Sequence, residues 1–184
     1  MNSLLYNIQE LINDPIFLEN LFNNRFMLIF LVIFLMHMKY ASYKNIYIAS
    51  IINIPGTVLH EMSHYLIGSI LNAQPTSFSV FPKKDEYGNY VMGSVGFRNI
   101  TFYNALPSAM APLCLLPIGF WINRYLLPNL VPSLGNYLLY IFLQTVIIEN
   151  SLPSKQDFKV AFISVKGILF FALIATAIFF FLNR

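Results

Sequence analysis

The sequence predicts an all-α, multi-pass membrane protein with four to five transmembrane helices and a small β-hairpin insertion. Three observations predict it. Hydrophobic residues make up 57% of the 184 residues and charged ones only 10%, far from the balance of soluble domains. Apolar runs of helical length recur along the chain, separated by short connections carrying Lys, Tyr, Asn and Pro. One stretch, residues 76–101, departs from this habit and alternates around a charged turn. No linker, repeat or low-complexity segment divides the chain, so residues 1–184 read as a single integral-membrane domain. The net charge of +3 is dispersed, with no basic cluster or stacking motif. The expected surroundings are therefore a lipid bilayer, and no nucleic acid partner is expected. Cys114 is the single cysteine; no internal disulfide can form, and in its apolar run it reads as a small core residue.

Leu4, Leu5, Ile8, Leu11 and Ile12 recur at helical spacing opposite Asn7, Gln9, Glu10 and Asn13. They predict an amphipathic helix within residues 1–24 that lies in the membrane interface or packs on the bundle. Glu10, Asp14 and Glu19 replace the basic start of a cleavable signal peptide, so the first apolar span is expected to serve as signal and anchor. Asp14-Pro15 reads as an N-cap followed by a proline in the first helical turn. The helix so started is strongly apolar over residues 26–38 and, counted from Leu21, just long enough to span. His37 near its end suits the headgroup level, as do the lysines and tyrosines of residues 39–45.

Residues 46–72 form the next apolar segment. Pro55 should kink it or start a new helix, and the freed backbone must face protein or water. Residues 78–82 and 90–97 flank the turn 83–89, which predicts a β-hairpin with Pro82 closing its first strand or lying at an edge. An edge beside a reactive site can pair with an extended peptide. Residues 102–127 give a third span, bent or interrupted by Pro107, Pro112 and Pro117, with small Ser108, Ala109 and Ala111 for close helix contact. After a turn at 128–135, residues 136–148 form a segment short for a full crossing. Residues 160–182 form the last span, with Lys166 near one end and able to reach the headgroups.

The chemistry concentrates in His60-Glu61-Met62-Ser63-His64. Residues four apart share a helix face, so His60 and His64 can aim two imidazoles at one point, half of a tetrahedral zinc site. Glu61 can take a proton from water without occupying a coordination position. The flanks are apolar, and ionisable groups are retained in such surroundings for function. With the histidines and the cysteine accounted for, the third ligand must be a carboxylate. Asp85 and Glu86 belong to the hairpin turn, which leaves Glu149 and Asp157. Asp157 also fits a capping box, Ser154-Lys155-Gln156-Asp157, and Glu149 can end a helix near water. Spacing leaves the two open. Asn150 and Asn53 are candidates to contact a substrate or a developing oxyanion.

Pro55-Gly56-Thr57-Val58-Leu59-His60-Glu61-Met62-Ser63-His64, the hairpin, the proline-broken third span and Leu152-Pro153-Ser154-Lys155-Gln156-Asp157 together resemble the site-2 protease family of intramembrane zinc metalloproteases. The likeness covers residues 46–167. It implies that His60, His64 and Asp157 bind zinc and that Glu61 activates water. It also implies a membrane-embedded endopeptidase that cuts a transmembrane protein or peptide in or near its membrane segment. The chain has Asp157-Phe158 where the family often has Asp-Gly, and it shows no PDZ-like domain. A non-proteolytic membrane scaffold with a structural or vestigial zinc site is the alternative. A metal transporter fits less well, because polar ligands do not recur over several spans.

Overall fold

The computed structural model describes residues 2–41, 46–84, 88, 90–163 and 165–183. The chain is mostly helical, with two short antiparallel strand pairs. In order the elements are α1 (Asn2–Asn13), α2 (Pro15–Asn23), α3 (Arg25–Ala41), α4 (Ile46–Ile70), β1 (Pro75–Ser79), β2 (Lys83–Lys84), β3 (Tyr90–Val91) and β4 (Ser94–Phe97). There follow α5 (Ala105–Ala109), a 3-10 piece (Ala111–Cys114), α6 (Leu115–Tyr125), a second 3-10 piece (Leu127–Asn129), α7 (Leu134–Asn150), α8 (Lys155–Ala161) and α9 (Val165–Leu182). They form two compact units, Met1–Ala49 with Leu116–Glu149 and Ser50–Leu115 with Asn150–Arg184. The boundaries fall within or at the ends of helices and not in a linker.

In the first unit the Asp14 carboxylate accepts from the Ile16 amide at 3.0 Å with Pro15 in the first turn, as expected; such a cap stabilises by about 1 kcal/mol. The helix it starts is interrupted where a continuous span was expected. Asn24 closes α2 by donating its amide to the Asn20 and Leu21 carbonyls, and its Oδ1 accepts from the Met27 amide in α3. An asparagine that caps in both directions competes with an unbroken ladder. The unit's core is Val32 with Tyr137, Tyr140 and Ile141. Phe22 packs its ring 5.2 Å from that of Tyr137. Between α6 and α7, the Tyr140 hydroxyl donates to Asn123 Oδ1 at 2.6 Å and Gln144 donates to the Gly119 carbonyl at 3.1 Å. These bonds satisfy polar groups that would be costly to bury alone.

The second unit carries the hairpin and the motif helix. Helix α4 runs through Pro55, so of the two expectations the new helical start is not realised; the proline withholds one amide from the Ile51 carbonyl. The expected hairpin is present. Strand β1 pairs with β4 (Phe78 opposite Val95, Ser79 opposite Ser94) and β2 with β3 (Lys83 opposite Val91). The first strand begins earlier than expected, at Pro75, and stops before Pro82. Turn residues 85–87 and 89, and connection residues 42–45, lie outside the described residues. The hairpin lies on α4: Phe97 covers Gly68, and the Phe78 ring stands edge-on to that of Tyr65 at 6.2 Å.

The three prolines of residues 102–127 interrupt the segment as expected. Each falls within the first three residues of a piece: Pro107 in α5, Pro112 in the 3-10 piece and Pro117 in α6. Amides there have no intrahelical partner, so proline sacrifices nothing. Cys114 corrects the sequence reading. It is exposed, because Ala111 and Pro112 are the residues of that piece that turn inward. The last segment is also divided, into α8 and α9. Among the described residues no single helix is both long and apolar enough to cross a membrane. The 17 residues of α3 extend about 25 Å against a hydrocarbon core of about 30 Å. Two pairs bent at their junctions, Pro15–Asn23 with Phe26–Lys39 and Lys155–Ala161 with Lys166–Leu182, reach that length and composition together.

Buried Gly167 lies directly on the carbonyl of Phe102, so a β-carbon there would strike backbone. Gly167→Ala is expected to destabilise by about 1–3 kcal/mol, read as a lower melting temperature of the purified chain.

Candidate metal centre

The site is built within the second unit from α4, α5, the last residue of α7 and α8. His60 and His64 stand one turn apart on α4 with Nε2 atoms 3.2 Å apart. Each ring is held from behind. His60 Nδ1 donates to the Asn150 carbonyl at 2.9 Å, and His64 Nδ1 donates to the Ser108 carbonyl at 2.8 Å. A carbonyl can only accept, so both imidazoles carry their proton on Nδ1 and present the Nε2 lone pair forward. Such backing orients a metal-binding histidine.

Asp157 closes the group. Its Oδ2 lies 3.5 Å from His60 Nε2, and its Oδ1 lies 3.2 Å from His64 Nε2. The carboxylate is aimed by its own helix start. Ser154 Oγ accepts from the Asp157 amide at 3.2 Å, and the Ser154 amide donates to Oδ2 at 2.6 Å. The capping box and the approach to the histidines therefore coexist in one side chain.

The donor set fits zinc. Zinc–ligand bonds of about 2.0–2.1 Å imply tetrahedral edges of about 3.3 Å; the two imidazole nitrogens stand 3.2 Å apart, and each meets a different oxygen of Asp157, at 3.2 Å for His64 and 3.5 Å for His60. Two lone pairs and a carboxylate at this distance repel one another unless a metal cation or a proton lies among them. The ligand atoms of His60, His64 and Asp157 all fall within 4.8 Å of one another.

Glu61 is buried, only 6% exposed, whereas Met62 of the same motif faces outward. Glu61 lies against Thr57 and the hairpin backbone at Gly93. Glu149 is engaged elsewhere: its carboxylate pairs with Lys39 at 2.5 Å in the first unit. Asn150 supplies the carbonyl behind His60, and its side chain lies over Gly56. Asn53 is half-buried, seven residues before His60 and so on the same face of α4. His37 is exposed on α3 and is not part of the cluster.

Sequence reasoning missed Ser108, the Asn150 carbonyl and Gly93. A backbone acceptor carries no side-chain signature, and Ser108 and Gly93 read only as a small residue and a strand glycine. Comparison with known proteins adds no relative: no family model, curated protein or solved structure matches the chain.

In zinc analysis of the purified chain, Asp157→Ala is expected to lose bound metal and Glu149→Ala to retain it. Ser154→Ala keeps all three ligands and the backbone amide that holds the carboxylate but removes the hydroxyl that caps α8, and is expected to weaken zinc by no more than about tenfold; undiminished zinc in Asp157→Ala moves the third ligand elsewhere.

Proposed function

We propose that the chain is a membrane-embedded zinc metalloendopeptidase that hydrolyses a peptide bond in or near a transmembrane segment of a protein or peptide substrate. The observation that carries this reading is the convergence of two carbonyl-backed imidazoles and a cap-aimed aspartate, with a buried glutamate beside the first imidazole. The resemblance to the site-2 protease family gives the same ligands and the same base.

His60, His64 and Asp157 would hold the ion, which when bound would supply Lewis acidity to a water molecule and a peptide carbonyl. Glu61 accepts the proton of the attacking water as its oxygen bonds to the carbonyl carbon, then delivers that proton to the leaving amine as the carbon–nitrogen bond breaks. Burial strengthens electrostatic contacts at the Glu61 carboxylate. The amide groups of Asn150 and Asn53 are the candidate donors to the substrate or to the developing oxyanion. A helical substrate must unwind first, since its carbonyls are bonded within the helix.

The membrane setting is supported by composition and by the surface. The two bent helix pairs have the length and apolarity of spans, and α9 exposes Phe179, Phe180, Phe181 and Leu182. Such a surface suits lipid.

The test is cleavage of a membrane-peptide pool by the detergent-solubilised chain, with and without a zinc chelator. Cleavage is expected to vanish with the chelator and return with zinc. Glu61→Ala is expected to lose at least about a hundredfold in rate while zinc content stays at one ion per chain. Cleavage that persists in Glu61→Ala refutes the mechanism; zinc binding without cleavage by the native chain favours the scaffold reading.

A further inference from the structure

The hairpin meets the motif helix at one glycine whose lack of a side chain has no backbone explanation. Among the described glycines only Gly88 has a positive φ, at 82°, so the conformation at Gly93 is open to any residue. Space is what demands glycine there. A β-carbon at position 93 would lie 2.5 Å from Glu61 Oε1, 2.8 Å from Glu61 Cγ and 2.6 Å from Thr57 Cγ2. Gly93 also sits in the interval between β3 and β4, where the ladder is interrupted. Its neighbour Met92 is tied to α4, with Sδ accepting from the Ser50 hydroxyl at 3.7 Å. Further along, Phe97 rests on Gly68 and Phe78 on Tyr65, so the hairpin is fastened to α4 on both sides of Glu61.

We infer that Gly93 is a positioning residue for Glu61: the hairpin strand, bare at this one point, presses on the glutamate side chain and fixes the rotamer of its carboxylate. The inference rests on the protease reading for the purpose of that rotamer, and on packing alone for the contact itself. Thr57 is β-branched and stiff, whereas the Glu61 carboxylate is the free end of a flexible chain. An added methyl at position 93 therefore displaces the carboxylate first. A base moved by about an ångström loses rate on the order of a hundredfold without loss of ligands.

The experiment is a double-mutant cycle of Gly93→Ala and Glu61→Ala in the full chain, read by melting temperature, zinc content and cleavage. Gly93→Ala is expected to retain zinc, to lower kcat at least about tenfold and to leave KM within about twofold. It is also expected to lower the melting temperature in the native background and to lower it less in Glu61→Ala, where Oε1 and Cγ are gone. Strictly additive melting shifts, or full kcat in Gly93→Ala, overturn the inference. If the shifts couple but the native chain cleaves nothing, the contact stands, the protease reading falls, and the catalytic purpose assigned to the contact falls with it.

Discussion

Two hydrogen bonds decide what the motif helix can do: those from His60 Nδ1 and His64 Nδ1 to the carbonyls of Asn150 and Ser108. A histidine pair at helical spacing is free to rotate, and rotation costs little on an exposed helix. Once each ring donates backward, each Nε2 faces forward as an acceptor, and the tautomer is set by the backbone of two other elements. The remaining architecture of the second unit serves to bring those carbonyls to α4. Helix α5 is short, with Pro107 in its own first turn and Pro112 in the 3-10 piece that follows Ala109. Helix α7 ends at Asn150, a few residues before the Ser154 cap that starts α8.

The same economy governs Asp157. Its carboxylate is anchored by a local bond to the Ser154 amide, which restricts it before any long-range contact is made. A cap is cheap to specify in sequence and rigid in structure. Using it to aim a ligand removes much of the entropy that ordering a free side chain would cost. Charge then does the discriminating between carboxylates. Glu149 is paired with Lys39, whereas the partners across from Asp157 are the two imidazole nitrogens, where a cation would complete the group.

Close packing is achieved with absent side chains. Gly56 admits the Asn150 side chain, Gly68 admits the Phe97 ring and Gly93 admits the Glu61 carboxylate, all on α4 or pressed against it. The hairpin is thus a partner of the motif helix along its length. Backbone approach of this kind strengthens dispersion contacts and fixes rotamers, at the expense of any tolerance for substitution.

The sequence by itself determined the helical character, the Asp14 and Ser154 caps, the hairpin, the interruption by three prolines, and the candidate pair His60 and His64 with Glu61 between them. Each rests on local chemistry: periodicity, side-chain-to-backbone bonds, or the missing amide of proline. Spacing left Asp157 and Glu149 open and only the resemblance favoured Asp157; the tertiary structure brings Asp157 to the histidines and pairs Glu149 with Lys39. It alone divided the apolar runs at Asn24 and between α8 and α9, turned Cys114 outward, and supplied the carbonyls behind the imidazoles. Those features depend on residues far apart in the chain or on backbone atoms common to every residue, and no local pattern encodes them.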